Sequence, residues 1–359
     1  MTDLLTTLGI RHPIIQAPMG GGPSTPELVA AVSDAGGLGS LAAAYLTPEA
    51  IAVEVGRVRA LTDRPFNVNL FAGGYEEGVD VDPGPMLALL AGIHEAFGLP
   101  APVLPSPTSD PFPDQFRAVL DARPAVFSFT FGIPDADSLA RLRREGIVVV
   151  GTATSLHEAR LLADAGVDGV VAQGSEAGGH RGSFATPFEA AMVPTLALVR
   201  EIATALSVPV IASGGLMDGR DIAAARRAGA SAVQLGTAFL ACPESGASAA
   251  YKGALLDATG DTTVITRAFS GRPARGLRNR FIADLEGQDG IIPPFPTQND
   301  LTRPLHAAAA RAGDPGYLSL WAGQGVGRIR PLPAADLIRA LVEEMGDEEG
   351  GGRGMIALR

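Results

Sequence analysis

The chain has 359 residues, of which 46% are hydrophobic and 19% are charged, and its formal net charge at pH 7 is −11. This acidic balance argues against a nucleic-acid partner, and the single cysteine, Cys242, excludes an intrachain disulfide and any multi-cysteine metal site. The N-terminus lacks a basic segment followed by an apolar one, and no apolar run is long enough to cross a bilayer. We therefore expect a soluble, cytoplasmic protein without a membrane partner.

Short apolar segments alternate along the chain with segments that carry helix-start signals. Three of these starts combine a hydroxyl residue, Thr25, Thr47 or Ser155, with an acidic residue two or three positions later. Eight strands separated by helices indicate parallel pairing, and eight in succession favour closure into a (β/α)8 TIM barrel. An open doubly wound sheet is the alternative, although no strand–GxGxxG–helix start is present. The strands are predicted at residues 13–19, 38–44, 66–71, 125–131, 147–152, 169–172, 209–212 and 232–235.

The alternation is interrupted between the third and fourth strands by an excursion at residues 72–124, part of which is rich in proline. We predict that residues 1–335 form the barrel, including this inserted segment. Residues 336–359 are predicted to form a C-terminal helix and a disordered tail rich in glycine and charge. Further helices are predicted at 86–97, 114–121 and 187–206 and beyond residue 238, where a loop is expected at 287–299.

A glycine-rich loop at residues 174–182 follows the sixth predicted strand and has His180 and Arg181 near its end. Closely spaced glycines let a backbone approach a flat or anionic ligand. An imidazole beside a guanidinium offers a titratable proton carrier next to a fixed positive charge. The simpler interpretation is a surface turn with a solvated histidine. We favour the functional interpretation because of the residues predicted at the same rim.

The turns after the seventh and eighth strands are the second candidate site. TIM barrels bind phosphate at these turns, and backbone N–H groups there can hold a phosphate without a lysine. The alternative is that the glycines only form tight turns. The residues concerned are Ser213, Gly214 and Gly215 after strand seven, and Gln234, Leu235, Gly236 and Thr237 at strand eight.

Two amides, Asn69 and Gln173, lie near the ends of strands three and six, where they can present hydrogen-bonding groups to the edge of a heterocycle. The alternative, that each only satisfies buried backbone, stays open. Met19, at the end of strand one, is more typical of a core position than of a ligand contact. No cluster of histidine and acidic residues has metal-ligand spacing, so we expect no metal. The other histidines are expected to be structural or solvated: His12, His94, His157 and His306.

In combination these motifs resemble the nitronate monooxygenase family, also called 2-nitropropane dioxygenases, whose members are FMN-dependent (β/α)8 barrels. The resemblance extends from about residue 10 to about residue 330, and the loop at 176–182 resembles the class I branch. The matching segments are 16–22, 25–28, 35–39, 173–182, 214–220, 234–240 and 271–275, followed by Asn279.

The resemblance implies that His180 is the catalytic histidine, that FMN is the cofactor, and that the partners are a nitronate and O2. A cationic His180, or Arg181 beside it, would hold the nitronate anion over the flavin. With neutral nitroalkanes His180 would instead remove the α-proton. Cofactor-binding positions on this basis are Pro18, Met19, Gly20, Asn69, Gln173, Gly178, Gly179, Ser213, Gly214, Gly215, Gln234, Leu235, Gly236, Thr237 and Gln324.

Four other functions compete with this interpretation. The related FMN-dependent enoyl-ACP reductase has a similar Gly-Gly-His loop but consumes NAD(P)H, and a flavin-dependent quinone reductase would also oxidise NADH. A non-catalytic flavin or phospholigand binder would hold FMN without turnover. A phosphosugar barrel would be colourless. The oligomeric state is left open by the sequence.

Overall fold

The computed structural model describes residues 3–75, 81–106, 109–259 and 262–351. Its strands form one sheet of eight and one of three, and every predicted strand is present in the larger sheet. In chain order the strands are β1 (Ile14–Gln16), β2 (Gly39–Ala42), β3 (Phe66–Phe71), β4 (Val126–Thr130), β5 (Val148–Ala153), β6 (Gly169–Gln173), β7 (Gly179–His180), β8 (Val210–Ser213), β9 (Ala232–Leu235), β10 (Thr263–Thr266) and β11 (Ala274–Leu277).

The larger sheet is a nearly closed barrel of the TIM type. Its strand order is β1–β9–β8–β6–β5–β4–β3–β2, all neighbouring pairs are parallel, and a parallel bridge between Ile15 and Leu38 brings β1 against the start of β2. The register places Gln173 opposite Ser213 and Ser213 opposite Gln234. The carboxyl ends of these strands therefore meet at one rim, and the predicted barrel is confirmed over the open sheet.

Three of the barrel helices begin directly after the predicted capping residues. The hydroxyls of Thr25, Thr47 and Ser155 accept hydrogen bonds from N–H groups three residues later, at 3.1, 3.2 and 3.2 Å, which satisfies donors that a helix start leaves unpaired. The helices are α1 (Leu4–Leu8), α2 (Pro26–Asp34), α3 (Pro48–Leu61), α4 (Gly84–Ala96), α5 (Phe112–Ala122), α6 (Ala136–Arg144), α7 (Leu156–Ala165), α8 (Thr195–Ala205), α9 (Gly219–Arg227), α10 (Thr237–Leu240), α11 (Ala249–Leu256), α12 (Arg280–Asp284), α13 (Thr297–Ala312) and α14 (Ala334–Gly351).

Helix α8 is shorter than predicted, because it begins at Thr195 rather than near residue 187. Pro194 occupies its N-cap, and a proline disfavours the helical conformation in the residue before it. The helix therefore cannot continue back through Val193, and residues 187–194 form turns and irregular backbone.

The smaller sheet joins the loop after β6 to the C-terminal part of the chain. Strand β10 pairs antiparallel with β11, and β11 pairs with β7, which places Ala274 opposite His180 and Arg275 opposite Gly179. The prediction of a plain loop at residues 174–182 is wrong here. The helices predicted after residue 238 are present, but the strands β10 and β11 that lie among them were not predicted. A two-residue strand has no periodicity to detect, and its partner is distant in sequence.

The inserted segment contributes α4 and α5, close to the predicted helices. Met86 and Leu90 of α4 pack with Phe269, Phe281 and Leu305 in a hydrophobic cluster separate from the barrel core. Helix α4 is therefore anchored to the C-terminal region that carries β10, β11 and α13, whereas α5 packs against α3 and β3 in the barrel.

The C-terminal helix α14 packs against α9 and α2 and continues to Gly351, into the segment that we expected to be disordered. The rest of that predicted tail, residues 352–359, lies outside the described residues. Across the described ranges, no helix is both long enough and apolar enough to cross a membrane.

Candidate active site

A cavity of about 940 Å³ lies at the carboxyl ends of the barrel strands. This rim is where TIM barrels bind their ligands, and the volume is in the range of small-molecule sites. The walls contain His180 and most of the residues predicted to contact a cofactor: Pro18, Met19, Gly20, Asn69, Gln173, Gly178, Gly179, Ser213, Gly214, Gly215, Gln234, Gly236 and Thr237.

Two predicted contact residues, Leu235 and Gln324, do not line this cavity. Leu235 packs in the barrel core, because successive side chains of a strand point to opposite faces and its neighbour Gln234 faces the cavity. Gln324 lines a separate recess with Glu176 and Gly215, and its backbone N–H donates to the carbonyl of Glu176 at 3.0 Å.

His180 is positioned by the pairing of β7 with β11, which holds its backbone against Ala274. Its Nε2 lies 2.7 Å from Oγ of Ser270. Burial, together with the positive charge of Arg272, lowers the pKa of His180 to about 3. The imidazole is therefore neutral at pH 7, which corrects the expectation of a cationic histidine.

Aromatic rings surround the imidazole of His180. The ring centroids of Trp321, Phe131 and Phe295 lie 5.5, 5.9 and 6.4 Å from it. Phe131 has a φ of +72°, a conformation that costs a non-glycine residue about 1–3 kcal/mol. The guanidinium of Arg272 lies 4.1 Å from the Phe131 ring centroid, a cation–π contact. The walls next to His180 are thus largely apolar.

Arg181 does not share the cavity with His180. Its side chain is 3% exposed and donates hydrogen bonds to the carbonyls of Gly174, Ala191 and Gln173 at 2.5, 2.9 and 3.0 Å. Burial lowers its pKa to about 10, so it stays charged at pH 7. The expectation that Arg181 holds an anion beside His180 is therefore wrong, since its guanidinium braces the backbone of the loop.

The two rim amides have protein partners. Gln173 spans the loop: its Nε2 donates to the carbonyl of His180 at 3.0 Å, and its Oε1 accepts the N–H of Gly182 at 2.8 Å. Nδ2 of Asn69 donates to Oγ of Ser128 at 2.9 Å. Both amides line the cavity, and Gln173 in addition holds the backbone on either side of Arg181 in place.

The turns after β8 and β9 present unpaired backbone donors. Within the described part of the chain, the N–H groups of Gly214, Gly215, Gly236 and Thr237 donate to no other protein atom. Gly215 has a φ of +70°, and a Cβ there would lie 2.8 Å from Cβ of Glu176. Free N–H groups on a tight glycine turn form a concavity that suits an anion such as phosphate.

Ser270 is a site residue that sequence reasoning missed. It lies in the turn between β10 and β11, and it meets His180 only because β11 pairs with β7. The one sequence signal near it was the segment at 271–275, which directly follows it. A serine without a local motif cannot be assigned before the tertiary contact is known.

A second group of wall residues comes from a strap at residues 319–325, which crosses beside the cavity. The carbonyl of Trp321 accepts the hydroxyl of Tyr251 at 2.6 Å, and the N–H of Gly323 donates to Oγ1 of Thr237 at 2.9 Å. A Cβ on Gly178 would lie 2.5 Å from the backbone of Ala322, so the strap and the loop after β6 are in close contact.

These features define a TIM-barrel enzyme with a ligand cavity at the carboxyl rim, a neutral histidine in its wall and backbone donors after β8 and β9. The model of the family described as nitronate monooxygenase matches residues 2–344. The chain therefore belongs to the nitronate monooxygenase family, a family of flavin-dependent enzymes.

Individual relatives agree with this assignment. The chain is 46% identical over 357 residues to the nitronate monooxygenase of Pseudomonas aeruginosa, covering 96% of this chain and 99% of the relative. It is similar to the crystal structure of nitroalkane oxidase from Streptomyces ansochromogenes, with 43% identity, a TM-score of 0.90 and coverage of 97% and 99%. It is also similar to FabK from Thermotoga maritima, with 30% identity, a TM-score of 0.78 and coverage of 99% and 100%.

Proposed function

We propose that this protein binds FMN and oxidises alkyl nitronates, such as propionate 3-nitronate, with O2 to a carbonyl compound and nitrite. The observation that carries the proposal is His180: a neutral imidazole, held by Ser270 and walled by aromatic rings, in the same cavity as the free N–H groups after β8 and β9. Membership in the nitronate monooxygenase family supports this substrate class.

The cavity suits FMN at two places. The N–H groups of Gly214, Gly215, Gly236 and Thr237 would hold the phosphate, because they are unpaired donors on turns that leave room for an anion. Asn69 and Gln173 line the wall where a flavin edge would lie. When bound, FMN supplies the redox chemistry, which no side chain of the cavity can supply.

His180 would orient the substrate by a hydrogen bond. As a neutral imidazole it can donate an N–H to an oxygen of the nitronate anion. With a neutral nitroalkane, the unprotonated nitrogen would be only a weak base towards the α-proton, because a pKa of about 3 lies far below the operating pH. The apolar rings around His180 make this part of the wall less polar than water, which strengthens the hydrogen bond between the imidazole and a charged substrate.

The test is oxygen uptake by the purified yellow protein given propionate 3-nitronate, with no NAD(P)H present. We expect rapid uptake together with nitrite release. His180→Asn should retain FMN, because no residue of the phosphate turns is changed, and it should lose most of the turnover. If uptake is absent and NADH bleaches the flavin, the protein is instead a pyridine-nucleotide-dependent reductase. Full activity in His180→Asn would remove His180 from the mechanism.

A further inference from the structure

The hydrogen-bond partner of His180 belongs to a short turn, residues 267–272, which we call the Ser270 turn. Ser270 is 2% exposed, and its hydroxyl lies 2.7 Å from Nε2 of His180. The same hydroxyl accepts the N–H of Arg272 at 3.3 Å and lies 3.4 Å from the Arg272 carbonyl. Apart from the imidazole of His180, the polar contacts of this hydroxyl are with the backbone of the turn.

Helix α13 holds that backbone with two buried side chains on one face. Oγ1 of Thr302 donates to the carbonyl of Phe269 at 2.6 Å, and Nε2 of Gln298 donates to the carbonyl of Ala268 at 2.5 Å. Both side chains are 0% exposed, and their spacing of four residues places them on the same helix face. The two carbonyls immediately precede Ser270, so these bonds orient the peptide planes that aim its hydroxyl at His180.

Gln298 and Thr302 occupy buried positions that apolar side chains could fill. Oε1 of Gln298 is buried and has no hydrogen-bond partner among the described residues, a condition that costs about 1–3 kcal/mol. Gln298 also contacts Sδ of Met86 in the inserted segment, at 3.7 Å from its Nε2. A buried amide that leaves its oxygen unsatisfied is a poor choice for stability alone, and its nitrogen is bonded to the turn that carries Ser270.

We propose that Gln298 and Thr302 are positioning residues for His180, acting through the backbone of the Ser270 turn and the hydroxyl of Ser270. They touch neither the imidazole nor the substrate. They fix the position of the Ser270 hydroxyl against Nε2 of His180, and with it the orientation of the imidazole. This inference rests on His180 being the catalytic residue of the proposed function.

The first experiment is a double-mutant cycle between Thr302 and Ser270. Thr302→Val removes the hydroxyl at nearly constant volume, and we expect kcat to fall by about three- to tenfold with KM little changed, as for the loss of one hydrogen bond. In a Ser270→Ala background Thr302→Val should not lower kcat further, because the hydroxyl through which Thr302 acts on His180 is already absent. Thr302→Ser, which keeps the hydroxyl, should restore wild-type kcat. The matched control is Thr204→Val, which removes an exposed hydroxyl bonded within α8 and should leave kcat unchanged.

The second readout does not depend on turnover. The imidazole nitrogen signals of His180 in the FMN-loaded protein, assigned with His180→Asn, should shift in Thr302→Val and in Ser270→Ala but not in Thr302→Ser. If Thr302→Val does not fold, Gln298→Met replaces it: it removes both the donor and the unsatisfied oxygen. It should therefore shift the His180 signals without lowering the melting temperature.

Additive losses of kcat in the Thr302–Ser270 cycle would overturn the proposal, as would unchanged His180 signals in a variant with reduced kcat. A failure of the proposed function looks different. In that case the wild-type protein oxidises no nitronate, while the signal shifts in the variants persist and the positioning role stands.

Discussion

His180 is kept uncharged by its surroundings, and this couples protein stability to pH. In the folded protein burial and Arg272 lower its pKa to about 3, against an ordinary value of 6.5. Between these two values the unfolded chain binds a proton that the folded protein does not. The stabilisation that results from the lowered pKa of His180 is therefore fully present above pH 6.5. It is lost as the pH falls towards the pKa of His180 in the folded protein.

We predict that replacing His180 reduces the acid sensitivity of the fold. As the pH falls below 6.5, His180 alone should lower the unfolding free energy of the wild type by up to about 1.4 kcal/mol per pH unit. The unfolding free energy of His180→Asn should lack this part of the decrease. The measurement is urea denaturation of both proteins at about pH 7.5 and about pH 5, which brackets the ordinary titration of a histidine. Equal changes in the two proteins would mean that His180 is protonated in the folded state.

Two buried side chains, Arg181 and Glu158, hydrogen-bond the backbone of the loop after β6. Arg181 donates hydrogen bonds to carbonyl oxygens, as described above, and Glu158 of α7 accepts hydrogen bonds from N–H groups. One carboxylate oxygen of Glu158 accepts the N–H groups of Phe184, Ala185 and Thr186 at 2.7, 3.0 and 3.1 Å. The chain on either side of His180 is therefore fixed without using the imidazole.

Glu158→Gln should destabilise the protein by about 1–3 kcal/mol, because its amide nitrogen cannot accept a hydrogen bond and would face backbone or hydroxyl donors. The other carboxylate oxygen accepts the N–H and hydroxyl of Thr154, both at 2.7 Å, so neither orientation of the amide avoids the clash. The measurement is the unfolding free energy from urea denaturation. Glu49→Gln, at an exposed position in the first turn of α3, is the matched control and should stay within about 0.5 kcal/mol of wild type. A similar small effect in Glu158→Gln would show that the loop is held by other contacts.

The elements differ in how far their sequences predict them. Barrel strands and capped helices follow from local apolar runs and from residues such as Thr47 and Ser155, which act on the next turn of their own helix. The pairing of β7 with β11 depends on two segments far apart in the chain, and so does the contact between Ser270 and His180. The direction of the Arg181 side chain could not be predicted locally either, because the carbonyls that it binds, those of Gln173, Gly174 and Ala191, are brought together only by the tertiary fold.

At the scale of the whole molecule, the cavity is assembled from three regions that are separate in sequence. The barrel supplies the turns after β8 and β9, the small sheet supplies His180 and its partner, and the strap at 319–325 closes the wall. Contacts tie the three together, since Oγ1 of Thr237 accepts the N–H of Gly323 and Gly178 packs on Ala322. A ligand that touches all three regions should therefore stabilise the folded protein as a unit.

We predict that FMN raises the melting temperature of the apoprotein and that Gly215→Ala abolishes this increase. A ligand at one hundred times its Kd contributes about 2.7 kcal/mol. Alanine is strained at a φ of +70°, and its Cβ would press on Glu176, so the turn that offers the free N–H groups must move. The two proteins are compared by the increase in melting temperature on adding FMN, because backbone strain in Gly215→Ala lowers the melting temperature of the apoprotein by itself. Gly253→Ala is the matched control: it lies inside α11 with no atom within 4 Å of the added Cβ, and it should keep the full increase. An undiminished increase in Gly215→Ala would place the phosphate of FMN away from the turn after β8.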